Sequence, residues 1–106
     1  MPTKNAFEIV VFPGDGIGPE VVEPCQSLLD LAARDVGGFS LRFKTLPAGA
    51  GHYAKTGISL PPDAMDVARE ADAILLAAMG LPAVRYPDGT EIVPQLELRE
   101  ALGLYA

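Results

Sequence analysis

The amino-acid sequence predicts an α/β fold in which a parallel sheet is flanked by helices. Short apolar runs that end at proline or glycine alternate with longer segments of helical periodicity, and this alternation gives two strand–helix–strand units. Such units are typical of parallel sheets covered by helices. The chain has 106 residues, which is the size of one ordinary domain. We therefore expect residues 1–106 to belong to one domain, with no second domain present.

The first strand and the first helix are predicted at 7–12 and from residue 19 to about residue 36. The first segment is apolar and β-branched and ends at a Pro-Gly pair, as buried parallel strands do. The second has apolar residues at helical spacing. Pro24 would cost about 3 kcal/mol inside a regular helix, which predicts a kink or a start later than Pro19. The face that we expect to be buried comprises Val21, Val22, Cys25, Leu28 and Leu29.

The rest of the chain predicts two more strands and two more helices. Residues 39–46 alternate apolar and polar, which indicates a strand near a sheet edge. Residues 49–57 are glycine-rich and are predicted to be a loop, and a short helix follows over 61–68. Residues 73–78 predict a third buried strand, and 94–106 a last helix. Because these strands leave apolar sheet faces uncovered, we expect the chain to begin a larger protein.

Composition and charge exclude several classes of function. Eight Lys and Arg against fourteen Asp and Glu give a formal net charge of −6, and an acidic surface repels a phosphate backbone, so nucleic acid is not an expected partner. No apolar run approaches the roughly 20 residues of a membrane span. The first residues lack the pattern of a secretory signal, so a cytoplasmic location is expected. The single cysteine, Cys25, has no partner for an internal disulfide, and there is no Cys/His cluster for zinc.

The sharpest local motif is the glycine loop at 13–20, Pro-Gly-Asp-Gly-Ile-Gly-Pro-Glu. It departs from the usual dinucleotide fingerprint, because Pro19 stands where that fingerprint needs its last glycine. The loop does present backbone without Cβ atoms at the carboxyl end of a strand, where ligands bind in open α/β sheets. Local chemistry therefore leaves two alternatives open, a ligand-binding loop and a structural turn. Asp15 is expected to cap and hold the turn.

Four blocks of sequence resemble a known family, the β-decarboxylating dehydrogenases, which include isopropylmalate, isocitrate, homoisocitrate and tartrate (malate) dehydrogenases. The blocks are 11–21, 56–61, 73–82 and 98–106, so the resemblance runs through nearly the whole chain. It implies the N-terminal part of an isopropylmalate dehydrogenase-like fold, within a discontinuous α/β domain. It also implies that the catalytic residues and the metal ligands lie beyond Ala106, so none of either is expected in this segment.

The resemblance implies an activity for the full-length parent protein. It implies an NAD-dependent enzyme, a homodimer, that oxidises and decarboxylates a small-molecule substrate, a malate-type 2-hydroxy acid, with Mg²⁺ or Mn²⁺. The 106-residue segment alone is expected to be inactive. A second hypothesis, from a different class, is a non-catalytic α/β module that binds a nucleotide or a partner through its exposed sheet face.

Two groups of residues match family segments that line the cofactor site. Gly16, Ile17 and Val21 belong to the glycine-loop block, and Gly80 and Leu81 follow the third strand. Leu81 stands where isopropylmalate members more commonly have a second glycine, so a differently shaped loop is expected there.

The resemblance also implies substrate contacts near the end of the chain. Arg99 matches the first of the arginines that clamp the malate carboxylates, and its planar guanidinium suits a bidentate contact. Gln95 and Leu96 match positions that contact the group distinguishing the substrates. Isocitrate-specific relatives carry serine and asparagine at the Val93 and Gln95 positions, and a third carboxylate without those donors would be unfavourable. We therefore expect 3-alkylmalate, D-malate or tartrate rather than isocitrate.

Other polar residues are assigned no chemical role. His52 and Tyr53 lie in the glycine-rich segment and are expected to be structural or solvated rather than catalytic. Arg85, Asp88 and Glu91 lie in a segment that is predicted to be a surface turn, with a substrate-gating loop as the alternative.

Overall fold

The computed structural model describes residues 5–104, and this part of the chain forms a helix-flanked parallel sheet, which confirms the predicted α/β class. No helix among these residues is long and apolar enough to cross a membrane. In chain order the elements are β1 (Ala6–Phe12), α1 (Gly18–Val36), β2 (Ser40–Thr45), α2 (Ala50–Thr56), α3 (Pro62–Glu70), β3 (Ala73–Leu76) and α4 (Pro94–Leu102).

The sheet has the order β2-β1-β3, and both pairings are parallel. In this register Val11 of β1 lies between Thr45 of β2 and Leu75 of β3. The end of β1, Val10 to Phe12, is fully buried, as expected of a central strand covered on both faces. β2 lies at the edge of the described sheet, which confirms the prediction from its alternating pattern.

The third strand is shorter and less buried than the sequence predicted. β3 ends at Leu76, and its residues are half-buried or exposed. The prediction of a buried strand over 73–78 is therefore wrong, because β3 pairs only with β1 among residues 5–104. Ala78 already lies beyond the strand, where its carbonyl accepts a hydrogen bond from the Asp15 N–H at 2.9 Å.

Helix α1 begins earlier than the sequence predicted. It starts at Gly18 and contains Pro24, so the expected start after Pro19 is wrong. The first turn is closed by a hydrogen bond from the Val21 N–H to the Ile17 carbonyl, 3.1 Å long. The nitrogen of Pro24 cannot donate a hydrogen bond, but this first-turn bond is donated by Val21. The proline therefore does not prevent the helix from beginning several residues earlier.

Only a narrow stripe of α1 faces the rest of the molecule. Val22 and Ala33 are buried, whereas Val21 and Leu28 are exposed and Cys25 is half-buried. The predicted burial of the whole apolar face, Leu29 included, is therefore wrong for this part of the chain. The apolar periodicity identified the helix correctly, but periodicity does not determine how much of the stripe is covered.

The glycine-rich segment contains helix α2 where the sequence predicted a loop. The helix follows Gly49 and ends at Gly57, whose φ of 79° closes it. Its first two N–H groups, those of Ala50 and Gly51, donate to the carboxylate of Asp15. A local pattern could not indicate this helix, because the side chain that satisfies its first turn lies far away in sequence.

The main core lies between one face of the sheet and helices α3 and α4. Both helices confirm predicted elements, and α4 ends at Gly103, whose φ of 65° makes the expected left-handed cap. Residues 105–106, which the predicted last helix includes, lie outside the described residues. The buried members of this core are Val10, Phe12, Ala48, Ala64, Ala68 and Leu98.

Candidate functional site

The connections that follow β1 and β3 meet at the carboxyl edge of the sheet. Gly14 has a φ of 72° and packs so closely against Ala78 that an added Cβ would overlap its carbonyl oxygen. An added Cβ on Gly18 would overlap the Pro13 carbonyl oxygen. The glycine loop is therefore held by backbone contacts that residues with a side chain cannot make.

The Asp15 carboxylate joins three segments at this edge. Its Oδ2 accepts hydrogen bonds from the N–H groups of Ala50 (2.7 Å) and Gly80 (2.8 Å), and its Oδ1 accepts one from Gly51 (2.8 Å). Two of these bonds satisfy the first N–H groups of α2, where the helix dipole also favours negative charge. The residue is only 7% exposed. The Asp15 carboxylate therefore fixes α2 and Gly80 relative to the glycine loop, whereas the sequence predicted that it holds its own turn.

Two glycines allow the backbone to approach this carboxylate. An added Cβ on Gly49 would lie 2.9 Å from Cγ of Asp15, and one on Gly51 would lie 3.0 Å from its Oδ1. The Gly49 N–H also donates to the Ser59 carbonyl at 2.8 Å. The connection between α2 and α3 thus belongs to the same hydrogen-bonded group as the glycine loop.

The glycine-loop residues predicted to contact a cofactor are accessible. An added Cβ on Gly16 would meet no atom within 4 Å, and Ile17 and Val21 are 62% and 52% exposed. Apolar side chains beside backbone without a Cβ suit a flat, partly apolar ring, such as those of a dinucleotide. These residues therefore fit the predicted cofactor.

Gly80 and Leu81 lie close to the glycine loop, because Asp15 bonds to Gly80 directly. An added Cβ on Gly80 would meet only the Ile92 carbonyl oxygen, at 3.9 Å. Both residues line a cleft of 260 Å³, which we call the Gly80 cleft. Its other lining residues are Met79, Pro82, Val84, Arg85, Glu91, Ile92, Val93 and Gln95.

Residues 81–91 fold back on themselves as a short hairpin, which we call the 81–91 hairpin. The Gly89 N–H donates to the Tyr86 carbonyl at 2.8 Å, and the Tyr86 N–H donates to the Thr90 carbonyl at 3.0 Å. Arg85 and Glu91 pair as an antiparallel bridge and also form an exposed ion pair with an N–O distance of 3.6 Å. The predicted surface turn therefore has a defined hairpin geometry.

The tip of the hairpin is closed by an exposed side chain. Asp88 Oδ1 accepts hydrogen bonds from the Thr90 hydroxyl at 2.7 Å and from the Thr90 N–H at 3.0 Å. The bond from the Thr90 hydroxyl has the larger effect and the bond from the Thr90 N–H the smaller. Both hold the pKa of Asp88 below its ordinary value, because they stabilise the ionised carboxylate.

Tyr86 connects the hairpin to the segment around α2. Its hydroxyl lies 2.7 Å from Oγ of Ser59, and its ring meets the Tyr53 ring edge to face with centroids 5.0 Å apart. Sequence reasoning missed this contact, since Ser59 and Tyr86 were given no role and Tyr53 was considered only beside His52. No local signal could have found it, because the partners lie 27 residues apart.

The predicted substrate residues lie in two clefts. Gln95 lines the Gly80 cleft, and its Oε1 is buried without a hydrogen-bond partner among the described residues. Arg99 and Leu96 line a second cleft of 330 Å³. Gln95 and Arg99 are four residues apart on α4, so they project from the same side of the helix. Arg99 is exposed and forms no ion pair within residues 5–104.

Other candidate groups remain separate from these clefts. His52 lines a cleft of 420 Å³ with Lys55, on the side of Asp15 that faces β2. Among residues 5–104 there is no group of three His, Cys, Asp or Glu side chains that could hold a metal ion.

The chain has an α/β fold with a glycine-lined carboxyl edge, which is the place where open parallel sheets of this class commonly bind ligands. A family model described as isocitrate/isopropylmalate dehydrogenase matches residues 8–106. The chain belongs to this family of decarboxylating dehydrogenases, which confirms the resemblance inferred from the sequence blocks.

Similar proteins include enzymes and solved structures of this family. The chain is 38% identical to a 3-isopropylmalate dehydrogenase of Moorella thermoacetica, over 94% of this chain and 29% of the relative. It is 39% identical to one of Synechococcus sp., over 96% of this chain and 27% of the relative. The apo β-decarboxylating dehydrogenase of Thermococcus kodakarensis superposes with a TM-score of 0.71 at 31% identity, covering 93% and 27% of the two chains. Isocitrate dehydrogenase of Methylococcus capsulatus gives 0.72 at 27% identity, covering 94% and 27%. The chain thus spans less than a third of the length of these relatives.

Proposed function

We propose that this chain is the N-terminal segment of an NAD-dependent enzyme that oxidatively decarboxylates a malate-type 2-hydroxy acid. One observation carries the proposal. In a chain of this family, Asp15 joins the open glycine loop to Gly80, beside a cleft that contains Gln95. Residues 1–106 then belong to a discontinuous domain, and the isolated segment is expected to be inactive.

The cofactor part of the proposal rests on the open backbone at the sheet edge. When bound between these residues, NAD would supply the hydride acceptor for oxidation of the carbon that carries the hydroxyl group of the acid. Gly16 leaves space for close approach, and Ile17 and Val21 offer apolar contact. Gly80 and Leu81 provide the other wall. The remaining parts, Mg²⁺ or Mn²⁺, a homodimer and a cytoplasmic location, rest on the family alone.

Arg99 is the side chain that we propose to bind a substrate carboxylate. Its guanidinium is exposed and has no ion-pair partner among residues 5–104, so binding a carboxylate would break no ion pair within that range. A planar guanidinium donates two parallel hydrogen bonds to a carboxylate, which fixes the orientation of the acid as well as attracting it.

Gln95 bears on which malate-type acid is bound. A third carboxylate in the Gly80 cleft would meet the apolar side chains of Ile92 and Val93. Arg85 also lines the cleft, but it already pairs with Glu91 at 3.6 Å, and a buried carboxylate without a cation of its own is costly. This favours 3-alkylmalate, D-malate or tartrate over isocitrate. The buried amide oxygen without a partner further favours an acid with a 3-hydroxyl, as in tartrate, because a hydroxyl can donate to it.

The test measures turnover by the complete enzyme that contains this chain. Tartrate, D-malate, 3-isopropylmalate and isocitrate are compared with NAD and Mn²⁺, and isocitrate is expected to be the poorest substrate. Arg99→Lys keeps the charge but loses the planar fork, so turnover of the best acid should fall about a hundredfold, the scale expected when the reacting group is misplaced.

Arg34→Lys is the matched control. Arg34 is exposed on α1 and pairs only with Asp30 at 3.4 Å, far in sequence from the proposed site, so this variant should retain wild-type turnover. Isocitrate as the best substrate would contradict the substrate assignment. A fully active Arg99→Lys variant would contradict the role of Arg99.

A further inference from the structure

The 81–91 hairpin is attached at two points to the segment around α2. At its base, the Gly80 N–H donates to Asp15 Oδ2 at 2.8 Å, and the same oxygen accepts from the first residue of α2. Near its tip, the Tyr86 hydroxyl lies 2.7 Å from Ser59 Oγ. Ser59 is itself tied to this segment, because its carbonyl accepts from the Gly49 N–H at 2.8 Å. Both ends of the hairpin therefore rest on one hydrogen-bonded body.

The hairpin is also one wall of the Gly80 cleft. Leu81, Val84 and Arg85 line the cleft from the hairpin, opposite Gln95 at the start of α4. Tyr86 is half-buried and does not line the cleft itself. Its side chain instead contacts Ser59 and the Tyr53 ring. The position of the wall relative to Gln95 thus depends on a contact outside the cleft.

We propose that Tyr86 is a positioning residue for substrate binding: through Ser59 and Tyr53 it holds the 81–91 hairpin as a fixed wall of the Gly80 cleft. This inference rests on the proposed function, because it assumes that the 3-substituent of the acid bound by Arg99 lies in this cleft. It gives a role to the contact between Tyr86 and Ser59, neither of which is a catalytic group. It also favours a fixed wall over a substrate-gating loop, the alternative that the sequence left open.

The expected consequence is a change in binding rather than in chemistry. Without the hydroxyl contact, the hairpin occupies displaced positions for part of the time, and the apparent affinity falls with the fraction that remains docked. Substrate that does bind selects the docked position, so the bound complex reacts as before. KM should therefore rise while kcat is retained.

The experiment uses the complete enzyme with the best acid from the substrate panel. Tyr86→Phe keeps the ring and removes the hydroxyl, and Ser59→Ala removes its partner. A net hydrogen bond corresponds to about fivefold to tenfold in an equilibrium, so each variant should raise KM by about that factor with kcat within about twofold. The double variant should match the single variants, because one shared contact is lost in all of them.

A second measurement reports docking without any catalysis. Amide hydrogen exchange of the 81–91 segment should become about fivefold faster in both single variants, since an undocked hairpin opens more often. Ser27→Ala is the matched control for Ser59→Ala: it removes an exposed hydroxyl on α1, which lies outside the hairpin and the contacts that hold it. This variant should resemble the wild type in both measurements.

The outcomes separate this inference from the proposed function. Unchanged exchange in Tyr86→Phe and Ser59→Ala would overturn the docking, whatever the activity. Faster exchange with unchanged KM would overturn the role in substrate binding. A wild-type enzyme inactive on every malate-type acid would overturn the proposed function and the positioning role with it, even if the exchange data showed docking.

Discussion

Two segments meet at the carboxyl edge of the sheet, and they are held in different ways. The glycine loop after β1 is fixed by close backbone contacts and by a carboxylate that is 7% exposed. The 81–91 hairpin is closed by exposed turn bonds at Asp88 and Arg85 and is docked through one tyrosine hydroxyl. The glycine-loop side of the candidate site is therefore part of the packed sheet edge, whereas the hairpin side is held to that edge by a few side-chain contacts.

This difference indicates which substitutions each side of the site can tolerate. Close contacts between backbone atoms leave no room for a side chain, so a substitution at Gly14 or Gly18 should affect the whole domain. Contacts in an exposed turn are weaker and local, so the hairpin can change shape without unfolding the sheet. We infer that substrate preference is set more readily on the hairpin side than on the glycine-loop side.

The largest expected effect comes from adding one methyl group to the glycine loop. Gly14→Ala would combine a positive φ of 72° with overlap on the Ala78 carbonyl, and strain plus overpacking predicts a loss of about 3–5 kcal/mol in the free energy of unfolding. Gly16→Ala is the matched control, because its φ of 58° is similar but its Cβ would meet no atom within 4 Å. It should lose only about 1–2 kcal/mol.

Denaturant unfolding of the complete enzyme measures both variants of this pair. Equal losses for Gly14→Ala and Gly16→Ala would show that the contact with Ala78 does not hold the loop. Steric overlap would then not be the reason why the glycine loop tolerates fewer changes than the hairpin.

The next largest effect is expected at Asp15. Asp15→Asn keeps the shape but places an NH₂ group opposite at least one of the three N–H donors, and one buried donor left unpaired predicts a loss of about 2–3 kcal/mol in the free energy of unfolding. Asp30→Asn on α1 is the control, since it removes only an exposed ion pair, and it should change stability by less than about 1 kcal/mol. A similar small change at both positions, in denaturant unfolding, would refute the central role of Asp15.

Much of the fold could be predicted because its signals are local. The strands and helices α1, α3 and α4 each have their periodicity within the element itself, and proline or glycine flanks most of them. α2 was missed because its cap comes from Asp15, 35 residues away. Periodicity likewise marked the apolar stripe of α1, but not that Leu28 would stay 67% exposed, since coverage depends on what packs there.

The candidate site divides in the same way. The glycine loop and its Asp15 could be recognised as a unit because consecutive residues form it. The docking of Tyr86 on Ser59 could not, because two hydroxyl residues 27 positions apart give no pattern until the chain is folded. The positions of Gln95 and Arg99 in two different clefts were equally invisible, since their spacing on one helix predicts only that they share a side.

The smallest expected effect lies at the tip of the hairpin. The pKa of Asp88 is lowered in the folded protein by its bonds from Thr90, so its contribution to the turn is fully present above the unfolded value of about 3.9 and is lost as pH falls through the lower folded value. The Thr90 amide proton, followed by NMR, should therefore titrate with a midpoint below that of an ordinary aspartate. Asp88→Asn should abolish this titration and leave the melting temperature unchanged, because the group is fully exposed. A titration midpoint at or above the ordinary value, or a clear fall in melting temperature, would show that the hairpin tip is coupled to the buried network after all.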